Sequence, residues 1–362
     1  MMPEDVQPPS GAAFRSPNLR RAATLPRDLA NIAVRGGQVC SLSLTAPTPT
    51  NAGIWISDVL FIARTPRKIV LKPGPMKTFG LAVEKGARRY RDHVIDALAS
   101  TSLVKRAVYR KLAGDGNLVL RRLPDHDIVV DPSDLIGRTI LEKGDFDRQR
   151  TDLVTAHART LTDRTTILEI GANIGTQTVY FLATGLFEKV ICLEPDPINL
   201  PVLETNLHLN RLTEKVTVLA LAAGDRPGSL TLRRVPGNCG GSTLRTEEFS
   251  DSLATETLVP VVTIDSLVEN GSIDPDAIGL IWVDAEGFEE EIFAGSAILL
   301  NRKTPMVFEF STAFYNEQKV ARIVDLIFAN YATVSIVDDA GFTPITRDEM
   351  IGLPRLVDIF CS

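Results

Sequence analysis

A chain of 362 residues can hold one large domain with an appendage or two modest domains, and its 44% hydrophobic content and mean hydropathy of +0.07 are ordinary for a globular protein. No apolar run approaches the roughly 20 residues that span a bilayer; the best, 53–63, is short and holds Asp58. The four cysteines make no Cys-x-x-Cys pair, which argues against a zinc site or a disulfide framework and leaves them as reduced bystanders.

The net charge of −6 is uneven, with 24 Lys and Arg against 15 Asp and Glu in residues 1–150 and 15 against 30 in the remainder. The basic half carries scattered charges without interleaved aromatic residues, so no nucleic-acid partner is expected. The N-terminus shows no basic segment followed by an apolar core, so a cytoplasmic location is the default expectation.

In chain order, residues 1–52 are rich in Pro, Ser, Thr, Ala and Arg without periodicity and read as disordered or loosely attached. Residues 53–71 suit one or two short strands. Residues 77–112 show helical spacing, with a break near Ser100 to Ser102, and 53–116 is expected to be a mainly helical appendage serving substrate choice or dimerisation. Residues 118–120 and 128–130 read as an antiparallel pair, and 147–161 as a helix.

From residue 166 the pattern alternates strand and helix, as in an α/β, doubly wound, mostly parallel sheet. Strands are expected at 166–170, 189–194, 216–221, 279–284 and 305–310, and helices near 175–186, 197–210 and 288–300. Strand signals at 230–233 and 258–262 flank a Gly-rich loop at 237–242. Residues 333–337 and 356–360 suit an antiparallel hairpin at the sheet edge, turning at Asp338-Asp339-Ala340-Gly341.

Residues 167–175, Ile-Leu-Glu-Ile-Gly-Ala-Asn-Ile-Gly, read as a buried strand running into a tight turn and a helix. Gly171, Ala172, Asn173 and Gly175 would form the turn beside a nucleoside, with Asn173 tolerating positive φ. Glu194 ends the next strand, at the distance where such folds set an acid on a ribose diol. Glu169 helps to choose the ligand: a carboxylate facing it would repel a pyrophosphate but suit the ammonium and sulfonium of S-adenosylmethionine. The Gly-x-x-x-Gly spacing also fails the dinucleotide pattern. The alternative for Glu169 is a strand-end acid paired with a cation.

Asp225, after the third strand, could contact an adenine amino group or serve as a turn residue before Arg226-Pro227-Gly228. Asp284 ends the fourth strand, Glu286 shares its strand-type spacing, and Glu309 reaches the same rim from the adjacent strand. Such carboxylates could accept a hydroxyl proton, hydrogen-bond a polyol or hold a divalent cation, which is left unassigned. Glu286 and Glu289 could instead cap the following helix. The four histidines have no metal-ligand spacing.

The chain resembles the FkbM-type methyltransferases in Glu-Ile-Gly-Ala-Asn-Ile-Gly at 169–175, Glu-Pro-Asp-Pro at 194–197 and Ala-Ala-Gly-Asp at 222–225. It does so again in Gly-Gly-Ser-Thr-Leu at 240–244, Thr-Ile-Asp-Ser-Leu at 263–267 and Val-Asp-Ala-Glu-Gly-Phe-Glu at 283–289, the most specific of the set. Ala285 is smaller than the Val or Ile often found in the family. The resemblance covers about residues 120–360 and implies a class I, Rossmann-like methyltransferase domain over 117–362, with S-adenosylmethionine as methyl donor and a hydroxyl on a sugar or secondary metabolite as acceptor. Asp284, Glu286 and Glu309 are then the candidate catalytic residues, and Glu169, Gly171, Ala172, Asn173, Gly175, Glu194 and Asp225 the cofactor residues. A homo-oligomer is compatible with this reading. A base-amino methyltransferase fits less well, because the fourth strand ends in Asp-Ala-Glu-Gly, not Pro-Pro-aromatic. The rival reading is a cofactor-binding module without turnover whose basic N-terminal half recruits a partner.

Overall fold

The computed structural model describes residues 34–35, 38–39, 55–56, 59–62, 118–235, 237–244, 255–353 and 356–362. The chain divides into two units, Met1–Ala46 and Pro47–Ser362. In the first, β1 (Val34–Arg35) and β2 (Gln38–Val39) pair antiparallel. The helices expected at 77–112 lie outside the described residues.

In the second unit β3 (Trp55–Ile56), β4 (Val59–Ile62), β5 (Leu118–Arg122) and β6 (Asp127–Val130) form an antiparallel sheet in chain order. Helix α1 (Leu135–Lys143) follows. Its start is fixed by Asp134, whose carboxylate accepts from the N–H groups of Ile136 at 2.8 Å and Gly137 at 3.4 Å, and its end by Gly144 at φ 104°. Helix α2 (Arg148–Leu161) leads into the main sheet.

That sheet has eight strands. β7 (Thr166–Ile170) is the middle of its five parallel strands, with β8 (Lys189–Leu193) and β9 (Val216–Leu219) on one side and β14 (Ile278–Val283) and β15 (Met306–Phe310) on the other. β16 (Val334–Asp338) and β17 (Gly341–Pro344) form the edge hairpin, and β18 (Val357–Cys361) runs antiparallel between β15 and β16. The order β17-β16-β18-β15-β14-β7-β8-β9 is that of the class I methyltransferase fold. All six residues of β14 are buried, as a strand covered on both faces requires. Side chains alternate between two cores: Leu168 and Ile170 of β7 join one, Ile167 the other.

Helices α3 (Thr176–Ala183) and α4 (Asn199–Leu209) follow β7 and β8 as the alternation requires. β10 (Ala222–Ala223), β11 (Gly228–Val235), β12 (Asn238–Thr243) and β13 (Thr255–Val262) form a second four-stranded sheet in the order β10-β13-β11-β12. α5 (Ile264–Glu269) precedes β14. α6 (Glu289–Ala294) and α7 (Ala297–Asn301) replace the single helix expected near 288–300, which breaks at Gly295-Ser296. α8 (Glu317–Asn330) buries Val320, Ile323, Val324 and Ile327, the spacing of one helical face, and α9 (Arg347–Ile351) opens on a capping box between Thr346 and Glu349.

Two local expectations are corrected. Of the Gly-rich segment 237–242 only Gly237, at φ 74°, is turn; the rest belongs to β12, which pairs with β11 although its side chains give no strand signal. The two late strands pair antiparallel as expected, as β16 and β18, but the turn at 338–341 joins β16 to β17, and β18 lies inside the sheet instead of closing an edge hairpin. Among the described residues no helix is long and apolar enough to cross a membrane.

Candidate functional site

The cavity lies beyond the carboxyl ends of β7, β8 and β14, where an open parallel sheet binds ligands. Ile170, Gly171 and Asn173 come from the first strand and its turn, Glu194 and Asn199 from the second, Asp284 and Phe288 from the fourth. The β11–β12 hairpin supplies Leu232, Cys239, Gly240 and Ser242 to the facing wall.

The turn is built by positive-φ residues: Gly171 at 90°, Asn173 at 52° and Gly175 at 82°. Gly171 and Ala172 donate to the Leu193 carbonyl at 2.9 and 3.1 Å, which ties the turn to the end of β8. Glu194 is only 4% exposed and receives the Asn173 N–H at 2.6 Å on Oε2 and the Asp196 N–H at 2.8 Å on Oε1. The Asn199 amide stands 3.5 Å from Oε1, so of about four lone-pair positions on the carboxylate one remains on Oε2 for a ligand. Burial pushes the Glu194 carboxyl up to about 7, with its backbone hydrogen bonds opposing and the Asp196 charge adding to the rise.

Behind Glu194, Asp196 is fully buried and held by the Arg234 guanidinium, whose Nε donates to Oδ2 at 2.7 Å and whose Nη2 donates to Oδ1. The hairpin is further tied by the Cys239 N–H to the Asp134 carboxylate, by the Leu135 N–H to the Gly237 carbonyl at 3.0 Å and by the Thr243 hydroxyl to the Glu286 carbonyl at 2.9 Å.

On the opposite side Asp284, Glu286 and Glu309 each offer a carboxylate oxygen within 4.8 Å of the others. The strand-type spacing expected of Asp284 and Glu286 is not what joins them. Glu286 has φ 51° and Gly287 φ 93°, so a tight turn folds the second acid back over the first. Burial, then the nearby Glu286 charge, pushes the Glu309 carboxyl up to about 8, and burial with Glu309 and Glu286 raises Asp284 well above the usual carboxylate range. Asp358 of β18 stands directly across from Glu309 and pairs with Arg150, which also reaches Asp147 at 3.3 Å. Glu289, fully buried, receives the Tyr315 hydroxyl and the Gly287 N–H, the latter at 3.3 Å, so it braces the turn from below while standing in the first turn of α6.

A family model described as methyltransferase FkbM domain matches residues 169–342, from the glycine turn to the edge hairpin. This stretch of the chain is an FkbM methyltransferase domain. Methyltransferase sdnD of Sordaria araneosa is 35% identical over 82 residues, which is 23% of this chain and 32% of that protein, so the match spans about a third of the relative. Among solved structures, an O-methyltransferase from Bacillus cereus in complex with SAH aligns over 75% of this chain and 97% of its own at 16% identity and a TM-score of 0.33. TYW2 of P. horikoshii in complex with MeSAdo aligns over 67% and 69% at 9% identity and a TM-score of 0.36.

Within the FkbM domain the expected residues separate into three groups. Gly171, Asn173, Glu194 and Asp284 line the cavity, while Glu286 and Glu309 stand beside Asp284. Ala172 and Gly175 are turn residues packed away from the cavity; Ala172 is 1% exposed, and a Cβ on Gly175 would meet the Leu203 Cδ1 at 2.5 Å.

Glu169 and Asp225 are corrected. Glu169 is buried on the far side of the sheet, where it accepts from the Thr178 hydroxyl, and burial with the Glu194 charge pushes its carboxyl up to about 8. It neither lines the cavity nor offers an anion to a ligand's ammonium, because strand alternation turns it away from the Ile170 face. Asp225 is exposed, 4.0 Å from Arg226, and Ala222 and Ala223 line the cavity in its place. Asp196 stands in the Glu-Pro-Asp-Pro motif without a role assigned from sequence, nothing in the sequence points to Arg234, Arg150, Asp358 or Tyr315, and Cys239 is a cavity residue, not a bystander.

Proposed function

We propose that the protein is an S-adenosylmethionine-dependent methyltransferase that methylates a hydroxyl of a sugar or secondary metabolite. The observation that carries this reading is a single cavity with Glu194 on one wall and Asp284, beside Glu286 and Glu309, on the other. The free lone pair of Glu194 suits a ribose hydroxyl, and the apolar wall of Leu221, Ala222, Leu244 and Phe288 suits a flat base. When bound, the cofactor supplies an electrophilic methyl group.

This chain's own contribution is positioning and proton handling. Asp284 and Glu286 orient the acceptor hydroxyl in line with the methyl group. A carboxylate of the cluster takes the proton the hydroxyl loses, and Glu309, poised near neutrality, can hold it. Three carboxylates this close also suit a divalent cation through oxygen ligands, and dependence on added magnesium separates that route from direct proton transfer.

The test is incubation with labelled S-adenosylmethionine and a hydroxylated metabolite extract, followed by mass spectrometry of what gains a methyl group. Transfer to an oxygen is the expected result. Transfer only to nitrogen or carbon overturns the hydroxyl assignment, and no cofactor binding overturns the whole reading.

A further inference from the structure

The β11–β12 hairpin faces the cavity across from the core strands, so a ligand between Glu194 and Asp284 is enclosed by it. The β11 strand is anchored by its antiparallel pairing with β13, from Gly228 opposite Val261 to Arg234 opposite Thr255, and the ties beyond that pairing are neutral or single hydrogen bonds: Leu135 N–H to Gly237, Cys239 N–H to Asp134, Thr243 hydroxyl to Glu286. Arg234 is different in kind. Its fork grips both oxygens of a fully buried carboxylate and its Nη1 also reaches the Thr255 hydroxyl at 3.2 Å. The residue so gripped is tied directly to the cavity acid, because the Asp196 N–H donates to Glu194 Oε1 and the Asp196 side chain accepts from the Ile198 N–H at 2.8 Å.

We propose that Arg234 is a positioning residue of the nucleoside site: through Asp196 it fixes the N–H that orients Glu194, and it latches the β11–β12 hairpin over the cavity so that ligand exchange requires this ion pair to open.

The physical reason lies in what opening does to Asp196. Leaving a carboxylate with no exposure without its cation is costly, so Asp196 has to turn outward, and that change disturbs the loop that presents its N–H to Glu194. Hairpin closure and the orientation of the ribose acid are therefore one event. Lysine at position 234 would keep the charge but lose the planar fork, so it should hold the latch partially. The proposal rests on the cavity being the cofactor site, and its test includes a measurement that needs no ligand.

The experiment compares the full chain with Arg234→Lys and Arg234→Gln. Without ligand, iodoacetamide labelling of Cys239 on the hairpin is followed by peptide mass spectrometry, with the buried Cys192 and Cys361 as references in the same molecule. Arg234→Gln should label Cys239 roughly tenfold faster than wild type, Arg234→Lys should fall between, and the reference thiols should not change. With S-adenosylhomocysteine as probe, the dissociation rate should rise by roughly tenfold in Arg234→Gln and be partly restored in Arg234→Lys. Equal Cys239 labelling in all three proteins, or Cys192 and Cys361 rising in parallel with it, overturns the latch. If Arg234→Gln does not fold, Arg234→Lys alone carries the comparison. If wild type does not bind the probe, the cofactor reading fails and the labelling alone decides the hairpin.

Discussion

Gly171 packs directly against the backbone of Asp284: a Cβ placed on Gly171 would stand 1.9 Å from the Asp284 carbonyl oxygen, and the Asp284 N–H donates to Ile170 at 2.9 Å. The turn at the cavity and the strand end that carries the acid are thus one joint. A side chain on Gly171 forces β7 and β14 apart before it can affect any ligand.

Gly171→Ala should therefore lower stability by a few kcal/mol (about 2–4) and weaken cofactor binding together, because it combines backbone overlap with a φ of 90° that alanine resists. Urea denaturation and calorimetry with S-adenosylhomocysteine check this. Lost binding with unchanged stability would show that the close approach relaxes at no cost.

Glu194→Gln should weaken S-adenosylhomocysteine binding by about 1–3 kcal/mol, since one charge-assisted bond becomes neutral. Because burial holds the free carboxyl near 7, wild-type affinity should rise as pH climbs to about 7 and then level off, whereas the variant should show no such rise. Calorimetry from about pH 5.5 to 8.5 reads both. A flat wild-type profile would detach Glu194 from the ligand.

Glu169 makes a prediction about folding. Its carboxyl is raised from 4.5 to about 8, so its contribution to stability is complete below about 4.5 and is lost as pH rises through about 8. Glu169→Gln keeps an acceptor for Thr178 without an ionisable group, so the variant should match wild type near pH 5 and exceed it by on the order of 2–4 kcal/mol near pH 9. Urea midpoints at both pH values measure the difference. Parallel pH curves would mean that Glu169 titrates normally.

Asp284→Asn and Glu286→Gln should each lower turnover by roughly 10²–10⁴-fold with little change in cofactor affinity, if these side chains orient the hydroxyl and take its proton. Assays of wild type with magnesium and with a chelator belong in the same series. Indifference to both supports direct proton transfer, and loss under chelation supports a carboxylate-held cation. Full activity in both variants removes the cluster from the reaction.

The sequence showed the parallel core because strands such as Ile278–Val283 are continuous apolar runs that only a doubly covered sheet can bury. It showed Asn173 and Glu194 because turn chemistry and the spacing between neighbouring strand ends are local. It hid β12, whose Asn, Cys, Gly, Gly, Ser and Thr carry no strand signal and whose pairing is a matter of backbone alone. Arg234–Asp196 and Arg150–Asp358 join residues 38 and 208 apart, and no local spacing announces such partners. Glu169 misled for a different reason: a motif position gives the residue type, while strand alternation decides the face. Helix α1 was legible in principle, since Asp134 before the apolar run and Gly144 after it are ordinary start and stop signals.

The insertion of β18 between β15 and β16 makes the late residues Val357–Cys361 the keystone of the sheet. A nascent chain that has produced everything up to β17 still presents two unpaired strand edges, one on β15 and one on β16, and has no Asp358 to face Glu309 or engage Arg150. The contacts of Asp358, opposite Glu309 and with Arg150, therefore form only once β18 has been made. Closure of the sheet awaits β18, which leaves the unfinished protein exposed to edge-to-edge association until that strand arrives.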